Sequence, residues 1–600
     1  MRPDICLIVP PFAQVETPTL GVAILSAACQ ARGLSVDIIH ANIMLAAQVG
    51  HAAYRGIANS NFASLLGEHL FRPYAYAAGP ADDYEPPFAK AAAFRSGHDQ
   101  IASFIPAFLE ATLARIIEQR PTIIGISSAF QQTMAASAIA VRVKATAPEI
   151  RIVLGGPNVA SPMGEALSEV FPWIDHFFSG EADVAFADFC QQLLSDEGQA
   201  LPRMIHCPPL TDLRQSPTPV FDDYFADLRA AQANGALPAA LPTAHPMETS
   251  RGCWWGAKNH CTFCGLNGAT MAFREKPAAT ALAEFDGLEA RWNVGRFALA
   301  DNIMPRRYLS ELLPTLAERP APSEIFYEVK ANLTVDELAL MARAGIKTIQ
   351  PGIESLSTPV LRLMRKGVSA HQNIALLRDC RSLGIGVVWN YLYGFPGELI
   401  EHYQPLTELV PALEHLQPPD DFSALIIDRF SPYFNTPDTF GIEDVRPIGA
   451  YRGLYPPEAR LGDIAYHFRG TYSTGLTENP DVRLAAARAI ATWRLQWIVA
   501  TPPELCITAD NGVLVLSDTR RIAVERQVVI PEAWDAILRY AERPRQRSDF
   551  DAASMDILNV LVTRGYVIEH EGRLLSVVTR DDGSATRAPP APNVAEPARR

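Results

Sequence analysis

The chain has 600 residues, of which 48% are apolar and 20% charged, with a net charge of −14. That length exceeds what one hydrophobic core organises, so two to four domains of ordinary soluble composition are expected. The acidic balance argues against a general nucleic-acid binder, which needs a basic footprint. No apolar run reaches the roughly 20 residues of a membrane span, and the stretch after Met1-Arg-Pro-Asp is too short for a signal peptide. A cytoplasmic location with neither membrane nor nucleic-acid partner is the expectation.

Residues 1–200 alternate short apolar runs with helical patterns. Residues 4–9 end in Pro10-Pro11, a helix pattern from Leu20 to Arg32 stops at Gly33, and Ser35-Val-Asp-Ile-Ile follows. Thr122-Ile-Ile-Gly-Ile-Ser-Ser and Arg151-Ile-Val-Leu-Gly-Gly repeat the scheme. This is the pattern of a doubly wound, Rossmann-like α/β unit, which binds ligands at the C-terminal edge of its strands. Candidate contacts at that edge are Ser127, Ser128, Gly155, Gly156, Gly180 and Glu181, with Thr17 and Leu20 from the first loop. No G-x-G-x-x-G fingerprint is present. Residues 45–118, rich in alanine and aromatics and broken at Pro80 and Pro86-Pro87, read as a helical insertion. The proline-rich residues 201–244 read as an irregular linker.

Three of the nine cysteines are clustered. In Glu248-Thr-Ser-Arg-Gly-Cys253-Trp-Trp-Gly-Ala-Lys-Asn-His-Cys261-Thr-Phe-Cys264-Gly, seven residues separate the first pair and two the second. Thiolates are soft ligands for iron–sulfur clusters or zinc. The residues alone leave open a cluster site, a zinc loop with His260 as fourth ligand, or three reduced core thiols. Three cysteines on a four-iron cluster leave one iron open to a small molecule. The other six, Cys6, Cys29, Cys190, Cys207, Cys380 and Cys506, stand alone and read as buried or free thiols.

From 245 to 430 strands and helices alternate. Strand candidates are Arg296-Phe-Ala-Leu-Ala, Glu324-Ile-Phe-Tyr-Glu-Val, Thr348-Ile-Gln-Pro-Gly-Ile, Gly386-Val-Val-Trp-Asn-Tyr-Leu-Tyr and Ala424-Leu-Ile-Ile-Asp, with helices closed by Gly345 and Gly384. That alternation implies a parallel barrel or open sheet, with functional groups at the C-terminal strand ends. Asp301, Glu354 and Asn390 sit at such ends, and Arg429 follows the last strand. Residues 431–503 read as a cap over the barrel. From 504 to 580 a hairpin across Asn511-Gly512, a strand at Arg521–Val529, helices at about 531–541 and 551–564, and a final hairpin suggest an α+β winged-helix-like module. Residues 581–600 read as a disordered tail.

The cysteine loop resembles the radical S-adenosylmethionine (SAM) superfamily, whose hallmark is three cysteines after the first strand of a partial (β/α)6 barrel, with an aromatic residue before the last. Phe263 fills that place. The seven-residue gap departs from the commonest spacing, and its Arg-Gly-Cys-Trp-Trp-Gly context resembles the maturases of ribosomally made peptides called bacteriocin maturation radical proteins. The resemblance implies a [4Fe–4S] cluster on Cys253, Cys261 and Cys264. It also implies SAM at the open iron, with Phe263, Asp301, Glu354, Asn390 and Arg429 as SAM contacts. Pro-Pro-Phe, Thr17-Pro-Thr-Leu-Gly, Leu-Gly-Gly-Pro and Ser-Gly-Glu-Ala-Asp resemble the cobalamin-binding domain that precedes many radical enzymes, although the D-x-H-x-x-G pattern of other cobalamin proteins is missing. The function so implied is C-methylation of an unactivated carbon in a precursor peptide, held by the C-terminal module, with flavodoxin or ferredoxin as electron donor. Cyclisation, epimerisation or rearrangement without methyl transfer, a small-molecule methylase, and a zinc-stabilised peptide-binding protein are the alternatives. No residue stands out as a catalytic acid or base.

Overall fold

The computed structural model describes residues 2–60, 62–77, 99–195, 201–268, 270–499 and 501–581. The expected tail after 581 and the Pro80 and Pro86-Pro87 breaks of the insertion lie outside them. Among the described residues no helix is long and apolar enough to cross a membrane.

The N-terminal region is a six-stranded, wholly parallel sheet. Its strands run, from edge to edge, Val36–Ile39, Ile5–Ile8, Ile123–Ser127, Arg151–Gly155, His176–Gly180 and Met204–Cys207. Ile5–Ile8 is buried along its whole length, and the middle of Arg151–Gly155 likewise, as a sheet covered on both faces requires. Strand order reverses between Ile5–Ile8 and Ile123–Ser127, which opens a crevice at their C-terminal ends. Helices Ala41–Val49, His51–Ala58, Leu66–Phe71 and Ile105–Gln119 form the described part of the insertion. The linker reading of 201–244 is corrected. Met204–Cys207 is the sixth strand and Asp222–Ala233 a helix. The flanking prolines hid a strand that a sheet edge tolerates, because its outer N–H groups need no partner.

The central region is a curved parallel sheet in chain order: His245–Met247, Arg296–Leu299, Glu324–Glu328, Ile346–Gln350 and Gly386–Val387. The chain then breaks at Val388–Asn390 and resumes as Tyr391–Tyr393, which pairs in parallel with Phe422–Ala424. Six strand positions therefore line a partial barrel. Thr334 and Ser369 cap the helices Val335–Arg343 and Ala370–Ser382, each in a reciprocal capping box. The expected strand Ala424–Asp428 is split: Ile427–Asp428 pairs antiparallel with His467–Thr471 and so belongs to the cap. An apolar run does not reveal which sheet will take it.

In the C-terminal region, Leu505–Asp510 and Val513–Asp518 form the expected hairpin, with Asn511 and Gly512 both at positive φ. The next strand is confined to Gln527–Val529. Helices Glu532–Tyr540 and Ala552–Thr563 precede the hairpin Val567–His570/Arg573–Ser576. Thr579–Asp581 returns beside Leu505–Asp510. This hairpin docks on the barrel: His570 Nε2 lies 2.9 Å from the Leu356 carbonyl, and the Thr358 N–H donates to Glu571 at 2.7 Å.

Candidate active site at the barrel mouth

The first barrel strand delivers the chain to the cysteine loop through a network centred on Asp301. The Thr249 N–H, the Thr249 hydroxyl and the Ser250 hydroxyl donate to its carboxylate at 2.7, 2.6 and 2.6 Å. Ser250 and Arg251 then pair antiparallel with Glu275 and Arg274. Residues 252–273 thus form a closed loop with a two-stranded neck. The loop is bound to the barrel at several points: the Thr262 N–H donates to the Met364 carbonyl at 3.1 Å, the Thr262 hydroxyl to Leu363 at 3.0 Å, and the Trp255 indole to Arg365 at 3.2 Å. The long gap between Cys253 and Cys261 has a structural role. It carries Trp254, whose indole donates to Met304, and Trp255, whose ring covers Gly367 so closely that a Cβ there would meet it at 2.2 Å.

Cys253, Cys261 and Cys264 are each half-buried, whereas the six scattered cysteines are fully buried. The three thiols are close enough to feel one another's charge. Burial first, and then the neighbouring thiols, push Cys264 up to about 12, and Cys253 is raised by burial with Cys261 adding to it. The Gly256 N–H points at the Cys253 sulfur at 3.3 Å, the kind of hydrogen bond that tunes a ligated thiolate. Gly265 lets the turn after Cys264 press against the cap, since a Cβ there would lie 2.1 Å from the Arg429 carbonyl oxygen. His260 engages the Cys264 carbonyl through Nε2 at 2.8 Å, a tie within the cysteine loop itself. Among the described residues no group of three or more His, Cys, Asp and Glu side chains is close enough to hold a single metal ion.

Of the expected SAM contacts, Phe263 and Glu354 lie beside the cysteines. Phe263 packs edge-on to Phe395 at 5.8 Å, and the Lys366 ammonium lies 5.8 Å from its ring centroid. Glu354 holds a left-handed backbone (φ 57°) and faces Lys366 across 3.5 Å. Asn390 is half-buried at the break in the fifth strand. Two other expected contacts are engaged within the fold. Asp301 has no exposed surface and its oxygens are taken by Thr249, Ser250 and Tyr327, so it anchors the loop from below. Burial raises it to about 6. Arg429 is 3% exposed and spends its guanidinium on the Ala465 and Gly462 carbonyls, between the rings of Phe434 and Phe468; it fastens the cap.

Neither Lys366 nor Lys330 was among the expected SAM contacts. Burial opposes the charge on Lys366, but Glu354 and the thiols of Cys261 and Cys264 outweigh it and raise the group. Gly352 makes room for it, because a Cβ there would be 2.7 Å from its Nζ. Lys330 donates to the Lys366 carbonyl at 2.5 Å and lies 4.0 Å over the Trp255 ring. Burial, and then the neighbouring Lys366, lower it to about 8. Lysines in sequence look like solvated surface, and only tertiary placement brings these two to the thiols.

At the edge of the N-terminal sheet, Thr17, Leu20, Ser127 and Gly155 are half-buried, and Gly156 and Gly180 are exposed. Both exposed glycines have positive φ, and a Cβ on them would strike the Ser128 and Cys207 carbonyl oxygens at 2.5 and 2.1 Å. Close strand approach therefore accounts for them as well as any ligand does. Ser128 is fully buried between Thr133 and Asn158, and Glu181 is committed to Arg251, Arg274 and the Leu210 N–H. Both side chains are engaged within the fold. The edge nevertheless faces the barrel: Glu181 and Asp183 grip Arg251, and the Ala244 N–H donates to the Glu16 carbonyl beside Thr17 at 3.4 Å.

A partial barrel with three cysteines on the loop after its first strand is the architecture of radical SAM proteins, and residues 247–410 match the model of the Radical SAM superfamily. That central segment of the chain carries a radical SAM domain. It is 22% identical to the uncharacterized methyltransferase PH0819 of Pyrococcus horikoshii over 324 residues, half of this chain and 67% of the relative. Among solved structures it resembles OxsB, a cobalamin-dependent SAM radical enzyme with aqua-cobalamin bound (TM-score 0.54, 15% identity, 84% of this chain and 69% of that one). It also resembles the radical SAM methyltransferase TsrM of Kitasatospora setae (TM-score 0.53, 15% identity, 81% of this chain and 88% of that one). At that identity the likeness establishes a shared fold over the N-terminal sheet and barrel together.

Proposed function

We propose that the chain is a cobalamin-dependent radical SAM methylase that methylates an unactivated carbon of a ribosomally made precursor peptide. The observation that carries this reading is the joining of two ligand edges. The C-terminal edge of the six-stranded sheet is tied, through Glu181 and Asp183, to Arg251, two residues from Cys253.

The residues fit the groups such an enzyme holds. Cys253, Cys261 and Cys264 supply three thiols on one loop, a soft donor set suited to iron–sulfur, with an N–H directed at one sulfur and glycines where the loop must turn closely. The crevice where strand order reverses, bordered by Thr17, Leu20, Ser127, Gly155, Gly156 and Gly180, suits a flat cofactor such as cobalamin. When bound, a [4Fe–4S] cluster with SAM supplies a 5′-deoxyadenosyl radical, and cobalamin supplies a methyl carrier. The chain's own part is to bind and to exclude water. Lys366 and Glu354 form an ion pair beside the thiols that is positioned to receive the charged ends of an amino acid, and the cap, fastened by Arg429, covers the mouth.

Methyl transfer is supported by the relatives described as methyltransferases. A peptide substrate is supported by the winged-helix-like order of the C-terminal module and by its edge strand Gln527–Val529, beside which Val524 and Val529 stand 69% and 64% exposed. An extended peptide adds to such an edge by main-chain hydrogen bonds. The test is an anaerobic reaction of the reconstituted protein with SAM, a reductant such as reduced flavodoxin, and a candidate precursor peptide, read by mass spectrometry. A gain of one methylene per event is expected. Unchanged mass or loss of hydrogen overturns methylation in favour of a radical rearrangement, and methylation of a small molecule but no peptide overturns the peptide reading.

A further inference from the structure

The neck of the cysteine loop is held from outside its own domain. Arg251 places its guanidinium among three carboxylates: Nε and Nη2 reach Glu248 at 2.9 and 2.5 Å, Nη1 reaches Glu181 at 2.8 Å and Asp183 at 2.9 Å, and Nη2 reaches Asp183 again at 2.6 Å. Glu181 also takes Arg274, on the opposite strand of the neck, at 2.8 and 2.9 Å, while Arg274 donates to the Leu210 carbonyl at 2.7 Å. Asp183 is completed by the Ser216 hydroxyl at 2.7 Å. One carboxylate of the N-terminal sheet thus spans both sides of the ribbon that closes residues 252–273.

The network is more than surface decoration. Arg251 and Arg274 are 16% and 13% exposed, Asp183 7%. Burial works against ionised Glu181 and Asp183, yet the arginines hold both below the usual carboxylate range. A buried charge network costs desolvation and is a weak source of net stability, but it fixes geometry, because the planar guanidinium accepts only a narrow set of carboxylate positions.

We propose that Glu181 and Asp183 are positioning residues for the cysteine loop: acting through Arg251 and Arg274, the N-terminal sheet sets the spacing of Cys253 relative to Cys261 and Cys264 and so the hold on their cluster. The inference rests on the cluster reading above. It gives the N-terminal domain a part in the cluster site that does not depend on its own ligand.

The test uses the full chain, reconstituted anaerobically with iron and sulfide, and follows loss of the cluster's charge-transfer absorbance to a chelator at a temperature where every protein is folded by circular dichroism. Glu181→Gln, which keeps the shape and removes the charge, and Arg251→Lys, which keeps the charge and removes the fork, should each release the cluster about 10-fold faster than the parent, the usual effect of losing a partner behind a metal ligand. The double variant should be no faster than the worse single one, because both act through one contact. The midpoint potential of the cluster should move in both singles. Parent-like release in both, or effects in the double variant that simply add, overturns the positioning role. A parent that takes up no iron and sulfide overturns the cluster reading itself, and the inference with it.

Discussion

The cysteine loop and the edge of the N-terminal sheet are both loops at the C-terminal ends of parallel strands, yet they spend their polar groups differently. At the sheet edge the side chains are consumed by the fold: Ser128 bonds Thr133 and Asn158, and Glu181 bonds two arginines. In the cysteine loop the fold is held by backbone carbonyls and tryptophan rings rather than by the thiols. The same contrast divides the carboxylates of the barrel. Asp301 is saturated by four contacts from Thr249, Ser250 and Tyr327, whereas Glu354 meets one ammonium at the long distance of 3.5 Å. A strand-end position makes a polar residue a candidate, and its unspent hydrogen-bonding capacity decides its role.

The sharpest way to break this contrast is to remove a thiol. Alanine in place of Cys253, Cys261 or Cys264 should abolish 5′-deoxyadenosine formation while leaving the circular dichroism spectrum unchanged; retained product would put the chemistry elsewhere. Gly265→Ala comes next. Its methyl would overlap the Arg429 carbonyl at 2.1 Å, so iron content should drop severalfold and stability by about 1–3 kcal/mol, measured by iron analysis and denaturant melts.

Asp301 offers a gentler probe through pH. Burial raises its folded-state value to about 6 from 3.8, so the folded chain binds this proton more tightly than the unfolded one. Its contribution to stability is fully present below the unfolded value and is lost as pH rises through about 6. Relative to Asp301→Asn, which cannot titrate, the parent should lose on the order of 1–3 kcal/mol between about pH 4 and pH 7. Parallel curves for the two proteins would show that the carboxyl titrates as if in water. The smallest effect is expected at the C-terminal edge strand: Val529→Asp should weaken precursor-peptide binding a few-fold, about 1 kcal/mol, without altering 5′-deoxyadenosine formation in the absence of peptide.

Much of the fold was legible because its elements are local. The glycine stops at Gly33, Gly345 and Gly384, the Asn511-Gly512 turn and the apolar runs of the first strands each carry their own signal. The sixth strand of the N-terminal sheet was masked by its prolines, and the split of the last barrel strand depends on a partner, His467–Thr471, some forty residues away. The cysteines were legible because their spacing is compressed into one loop. Lys366 and Lys330 were not, because what distinguishes them is a neighbour contributed by another strand end. The structural ties of Asp301 and Arg429 were hidden for the same reason: their partners lie 51 and 36 residues distant, at Ser250 and Ala465, and sequence position alone does not show which groups a charge meets.

The central claim is that the three thiols hold a cluster that cleaves SAM. The most direct measurement is the 5′-deoxyadenosine released when the anaerobically reconstituted, reduced protein is mixed with SAM. The account predicts product from the parent and none from Cys253→Ala, Cys261→Ala or Cys264→Ala. Absence of product from a parent whose iron and sulfide content shows an intact cluster would contradict it.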